Sequence, residues 1–233
     1  MRTALITGGT GGLGRALAPL LIADGYQLGI TYLIPAEAEA LEAELQPDPA
    51  QVFLRRVDSS DAEAVTTFVS DAAERFGSID ALVALVGGWA GGKDVEDTDD
   101  LRLEHMLDLN LRSTFYSVRA VLPYLRETGK GRIVTVGSRA AVDNPSGQAA
   151  FNIAKAGVVA LTKSVANELR GTEITANALL PSVIDTPATR EAMPYADYVD
   201  WPTPAEIAGV IAFMLSDEAA VMNGATVPVY GNT

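Results

Sequence analysis

The sequence predicts an α/β protein built on one parallel sheet of about seven strands, doubly wound, with helices on both faces. Three observations predict it. Seven short apolar runs recur along the 233 residues. Stretches of helical period separate most of these runs. Segments rich in glycine or proline follow strand ends, the edge at which a doubly wound sheet binds its ligands. Strands that alternate with helices imply a parallel sheet covered on both faces.

The elements follow in order. "TALIT" at 3–7 is the first strand, and Leu13, Leu17, Leu20 and Leu21 mark a helix that starts near Gly12. "QLGITY" at 27–32 and "VFLRRV" at 52–57 are the second and third strands, and Val65, Phe68, Val69 and Ala72 form the apolar stripe of the next helix. "ALVALV" at 81–86 is the fourth strand. "NLRSTFYSVRAVLPYL" is helical and leads into "RIVTVGS" at 132–138, the fifth. "AFNIAKAGVVAL", residues 149–160, has an apolar periodicity that reads as a helix and sets Phe151 and Lys155 one turn apart on one face. "EITANALL" at 173–180 and "ATVPVY" at 225–230 complete seven strands, with about six helices between them. Glycine- and proline-rich stretches lie at 87–92, 143–147 and 181–204. No repeat, low-complexity tract or long linker divides the chain, so residues 1–233 read as a single domain.

Composition narrows the function. Seventeen basic against thirty acidic residues give a net charge of −13, which repels phosphate backbones and anionic membrane surfaces, so neither nucleic acid nor membrane is an expected partner. Apolar residues come in runs of about four to eight, too short to span a bilayer. The start "MRTALITGG" reads as a strand rather than a signal peptide, and the absence of cysteine fits a reducing compartment, so a cytoplasmic protein is expected. One histidine and scattered carboxylates do not suggest a metal site.

"ITGGTGGLGRAL", residues 6–17, places Gly8, Gly12 and Gly14 between the first strand and its helix. Glycine suits a tight turn closed to other residues, and a missing Cβ lets a pyrophosphate approach a helix N-terminus. After the first strand of a βαβ unit, this loop points to a dinucleotide and a Rossmann fold. An ordinary tight βα turn is the plainer alternative.

The spacing T-G-x-x-x-G-x-G, formed by Thr7, Gly8, Gly12, Leu13 and Gly14, resembles the cofactor loop of the short-chain dehydrogenase/reductase family, and further matches follow in family order over nearly the whole chain. The resemblance implies a hydride transfer between NAD or NADP and a small organic molecule. It implies that Asp58 contacts the adenine ring, and that Asn110, Ser138 and Lys155 are the helix-four asparagine, the catalytic serine and the catalytic lysine. It implies that Pro181 and Thr186 lie near the nicotinamide. In "VGGWAGG", residues 86–92, the family's usual N-N-A-G is replaced, with Ala84 and Leu85 at the asparagine positions and Val86 and Gly87 next along the cofactor. The family usually assembles into tetramers through helices four and five, so a homotetramer or homodimer is expected.

Phe151 stands where the family has a tyrosine, four residues before the lysine. That tyrosine hands a proton to the carbonyl oxygen as hydride arrives; phenylalanine has none to give, so the proton must come from Ser138, water or the substrate. Among other candidates, Tyr116 and Tyr124 suit a surface or interface role and His105 a structural one. Tyr195 and Tyr198 belong to the loop after strand six, from which they could reach a substrate. Residues 180–207, "LPSVIDTPATREAMPYADYVDWPTPAEI", are similar to the substrate loop of quinonoid dihydropteridine reductases in their D-T-P, M-P-x-A-D and W-x-P elements. A quinonoid dihydropterin is already electron-poor and needs less acid assistance than a ketone. Trp89 would stack on such a flat heterocycle, or simply cover the cleft. The resemblance is equally compatible with a catalytically silent relative that binds dinucleotide as a subunit or sensor.

For the choice of nicotinamide, Tyr32 occupies the position at the end of strand two where NAD-specific members carry an acid, and Leu33 follows it. Arg15 is the nearest basic residue and lies on the first helix. Without a cation for a 2′-phosphate the reading leans slightly to NAD, with Glu37 or Glu39 adding repulsion if either lies close.

Overall fold

A computed structural model describes residues 1–232. The chain runs β1 (Arg2–Thr7), α1 (Gly12–Ala23), β2 (Tyr26–Tyr32), α2 (Pro35–Leu45), β3 (Val52–Arg56), α3 (Ala62–Phe76) and β4 (Ala81–Ala84). It continues through α4 (Asp100–Met106), a π-helical segment (Leu107–Arg112), α5 (Ser113–Thr128), β5 (Lys130–Val136), α6 (Ala140–Asp143) and α7 (Ala149–Glu168). β6 (Glu173–Pro181), α8 (Pro187–Ala192), α9 (Pro204–Leu215) and β7 (Thr226–Val229) complete it.

The seven strands form one sheet in the order β3-β2-β1-β4-β5-β6-β7, and every neighbouring pair is parallel. β1 to β3 step toward one edge, and the chain then crosses back to lay β4 against β1. The strand order reverses between β1 and β4, so the loops that leave them part and open a crevice.

The two faces of the sheet are visible residue by residue. Ala4, Ile6, Ala81 and Val83 join one core with Leu17, Leu21, Ile207 and Ile211 of α1 and α9. Their neighbours Leu5 and Leu82 point the other way, into a core with Val65 and Phe68 of α3, Val121 and Leu125 of α5 and Val165 of α7. This alternation over continuous apolar runs is what a sheet covered on both sides requires. β3, at one edge, carries Arg55 and Arg56 and is less buried, as suits an edge that should not recruit another strand.

The differences from the expected elements are local. β4 stops at Ala84 and β5 at Val136, each two residues short of its apolar run. Helices are more numerous than about six: nine α-helices occur among the described residues, because short helices interrupt the loops and the long helix before β5 is split by its π-helical segment. The stretch 143–147 follows the short helix α6 rather than a strand end.

Candidate active site

The glycine loop is shaped by contacts no larger residue would allow. Gly8 has φ +70°, and a Cβ there would come within 2.9 Å of the Val86 side chain. A Cβ on Gly14 would lie 2.4 Å from the Gly9 backbone, so this glycine lets α1 start directly on the loop. The Gly8 N–H donates to Thr31 Oγ1 at 2.9 Å and the Gly9 N–H to the Thr31 carbonyl at 3.1 Å, seating the loop on the end of β2. Gly11 and Gly12 are exposed, and no side chain caps the start of α1. First-turn N–H groups of this kind attract an anion. Thr7 is buried, and its hydroxyl has no hydrogen-bond partner. Leu13 is half-buried against the core.

Residues far apart in sequence close on this loop. Thr186 lies opposite Gly12, whose added Cβ would meet the Thr186 methyl at 3.3 Å. The Thr186 hydroxyl caps α8 through the Thr189 N–H. Pro181 ends β6, buried, and its carbonyl accepts from the Arg139 N–H at 2.9 Å. At the end of β2, Tyr32 is half-buried and pairs in register with Arg56. Asp58 is exposed and accepts from the Ser60 hydroxyl and N–H, bonds that hold its carboxyl below the usual range.

The polar centre sits at the crevice. Asn110 is fully buried within the π-helical segment; its Oδ1 accepts from the Gly88 N–H at 3.1 Å, and its Nδ2 donates to the Gly88 carbonyl at 3.0 Å and the Met106 carbonyl at 3.1 Å. One side-chain amide thereby fixes the loop after β4. Gly87 passes so close that a Cβ there would lie 2.9 Å from Asn110 Oδ1 and 3.0 Å from Lys155 Nζ. Lys155 is buried and donates to the Val136 carbonyl at 2.9 Å. Burial without a counter-charge pushes its ammonium down to about 8. Ser138, two residues beyond Val136, is half-buried, and its Oγ accepts from the Ala140 N–H at 3.1 Å.

Phe151 is 8% exposed and packs with Met106, Ala140 and Ala150 in a small apolar cluster of its own. Its ring centroid lies 6.0 Å from Lys155 Nζ. The pair shares one face of α7, as its spacing requires.

Trp89 is 56% exposed and stands over Gly91, where a Cβ would lie 2.4 Å from the indole. Its Nε1 donates to Gln148 Oε1 at 2.8 Å; Gln148 Nε2 donates to Asn152 Oδ1 at 3.0 Å, and Asn152 Nδ2 to the Pro145 carbonyl at 2.9 Å. The Lys93 N–H also donates to the Gly147 carbonyl. The loop after β4 is thus fastened to the start of α7. Gln148 and Asn152 belong to no motif; the only sequence signal for them is that an indole N–H in a fixed position wants an acceptor. Tyr195 points fully into solvent, away from these groups, whereas Tyr198 packs on Trp201 and Arg190. Tyr116 and Tyr124 pack against the α3 and α5 core, and His105 is exposed on α4.

Three charged residues bear on the choice of nicotinamide. Arg15 is paired with Glu44 on α2. The Glu37 carboxylate accepts from the Thr10 hydroxyl at 2.9 Å, while Glu39 is exposed. Among the described residues, no group of three or more histidines and carboxylates could hold a metal ion, and no helix is long and apolar enough to cross a membrane.

Comparison with known proteins agrees with this fold. Residues 2–196 match the family described as short chain dehydrogenase. The chain is 34% identical to the levodione reductase of Leifsonia aquatica, over 99% of this chain and 93% of that one. It is 31% identical to a 2-dehydro-3-deoxy-L-rhamnonate dehydrogenase (NAD(+)) of Sphingomonas sp. strain SKA58, over 99% and 94%. Among solved structures, a levodione reductase superposes with a TM-score of 0.88 at 33% identity, over 98% of this chain and 95% of that one.

Proposed function

The chain belongs to the short-chain dehydrogenase family, and from that premise we propose that it is a nicotinamide-dependent oxidoreductase acting on a small organic acceptor that needs little protonation. The observation that carries this reading is the convergence of the Lys155 ammonium, the Asn110 amide and the Gly87 backbone beside the glycine loop, where the strand order reverses.

The residues fit a dinucleotide. The exposed Gly11–Gly12 backbone and the uncapped start of α1 suit a pyrophosphate, with Thr7, Gly8, Leu13 and Gly14 shaping the turn. Tyr32 and Asp58 flank the adenosine; Val86, Gly87, Pro181 and Thr186 flank the nicotinamide. When bound, the dinucleotide supplies or takes the hydride. Lys155 spends one N–H on Val136 and keeps two for ribose hydroxyls. Ser138 accepts from Ala140 N–H, which leaves its own proton free for an acceptor oxygen. Phe151 adds an apolar wall where an acid would stand, so the proton comes from Ser138, water or the acceptor itself.

Trp89, its indole N–H already satisfied, offers a flat face to a conjugated acceptor, and Ser138 adds a hydroxyl to the substrate side; Tyr195, fully exposed on the loop 181–204, adds none. A quinonoid dihydropterin is the acceptor class that the loop's resemblance favours. The cofactor leans to NAD, in line with the NAD(+) named for one relative. The same reading makes the protein a cytoplasmic homotetramer or homodimer without nucleic-acid, membrane or metal partners.

The second reading, a silent relative that binds dinucleotide without chemistry, is favoured by the seating of Phe151 in its apolar cluster. Stopped-flow oxidation of bound NADH or NADPH by quinonoid dihydropterin and by a panel of ketones separates the two. The unmodified chain is expected to turn over the pterin and to reduce ketones poorly. Phe151→Tyr is expected to raise ketone reduction by ~10²–10⁴. Cofactor binding with no turnover until tyrosine is restored would favour the silent reading instead.

A further inference from the structure

We infer that Glu37, from the first turn of α2, is the carboxylate that receives the adenosine ribose hydroxyls, and that it makes the site prefer NAD to NADP. The inference rests on the dinucleotide-binding reading and names a residue for it.

At the end of β2 a Rossmann site needs an acceptor for the ribose 2′-hydroxyl, usually an acid on the strand itself. Here the strand ends in Tyr32, followed by Leu33 and Ile34, none of which can accept as a carboxylate does. The acid arrives by another route. Residues 8 and 9 of the glycine loop are bonded to Thr31, so the loop lies across the end of β2. The next residue, Thr10, is 3% exposed, and its hydroxyl donates to Glu37 Oε2 at 2.9 Å. Glu37 is half-buried and lies three residues past the start of the turn, its N–H bonded to the Ile34 carbonyl at 3.1 Å. The carboxylate is therefore fixed where the glycine loop, β2 and α2 meet.

A carboxylate has about four acceptor sites, and Thr10 uses one. The others suit a pair of ribose hydroxyls. A 2′-phosphate would bring a second negative group to a half-buried carboxylate, where water screens the repulsion poorly.

Two arginines carry charge that would oppose this. Arg15 is held by Glu44 through two nitrogens. Arg56 donates its Nε to the Leu33 carbonyl at 3.1 Å, but it is exposed and its charge is screened. Glu37 is half-buried and bonded to the loop through Thr10, whereas Arg15 is neutralised by Glu44 and Arg56 is exposed, so the Glu37 charge decides the preference.

Fluorescence titration with NADH and with NADPH tests this without requiring turnover. The native chain is expected to bind NADH at least about tenfold more tightly than NADPH, and Glu37→Gln to bring the two within about threefold. Thr10→Val, which frees the carboxylate without removing it, is expected to weaken NADH binding and narrow the ratio; circular dichroism checks that each variant folds. Arg56→Gln is expected to leave the NADH preference in place. Tighter binding of NADPH by the native chain, or an unchanged ratio in Glu37→Gln, overturns the inference while leaving the dinucleotide reading intact. Binding of neither cofactor overturns both.

Discussion

Lys155 is a cation that α7 carries into the protein, with the Val136 carbonyl as its hydrogen-bond partner and no counter-charge. Its pKa in the folded chain is about 8, against the ordinary 10.5, because burial penalises the charged form. Between those values the unfolded chain holds more protons than the folded one, so stability rises as pH rises through this window. Lys155→Met removes the dependence. In cofactor-free protein the variant should melt at a higher temperature than the native chain at pH 7, by as much as ~3 kcal/mol in stability, with the gap closing toward pH 10. Thermal melts of both proteins from pH 7 to 10 check it; parallel profiles would show that Lys155 is not the buried group. At this scale the spacing of Phe151 and Lys155 was fully legible from α7 periodicity. What surrounds them was not. Met106, Ala140 and Ala150 meet the Phe151 ring from different stretches of chain, and Gln148 meets Trp89 across a gap of 59 positions. Neither meeting leaves a trace in local pattern.

Among the elements, α1 depends on Gly14 having no side chain. Gly14→Ala would drive a Cβ to 2.4 Å from the Gly9 backbone and should cost ~1–3 kcal/mol through displacement of the helix from the loop. Gly209 in α9 is its control, since a Cβ there meets nothing within 4 Å; Gly209→Ala should stabilise by ~0.5–1 kcal/mol. Urea unfolding of the two variants should shift the midpoint in opposite directions. The strands and long helices were readable because each buries a face with its own period. Their ends were less so: the apolar run of β4 continues to Val86, yet that side chain is apolar because it packs over Gly8, not because it belongs to the ladder. The π-helical segment at Leu107–Arg112 left no sign in the sequence either; it carries Asn110, whose amide holds Gly88 from a distant stretch of chain.

As a whole molecule, the chain shows on α5 and α7 apolar side chains that its own fold leaves in water. Phe115 is 43% and Ile153 55% exposed. If α5 and α7, the counterparts of the family's helices four and five, form the expected assembly, sedimentation velocity should give a dimer or tetramer, and Phe115→Glu with Ile153→Glu should reduce it to a smaller species; a monomeric native chain would overturn the expectation. The parallel, doubly wound sheet and the single-domain character were legible from strand–helix alternation and the lack of linkers, whereas the order of the strands was not read from the sequence, and nothing in it indicated how the segment after β6 is anchored. There the Asp185 N–H donates to the Pro202 carbonyl at 3.0 Å. That bond joins the two ends of residues 186–201, so the excursion leaves and re-enters the frame at almost the same point. A segment closed at its root is a cassette. Divergence could exchange the part beyond Thr186, which packs on the glycine loop, for another of different length and chemistry without moving β6 or α9, and a chimera grafted there would inherit a junction that already meets.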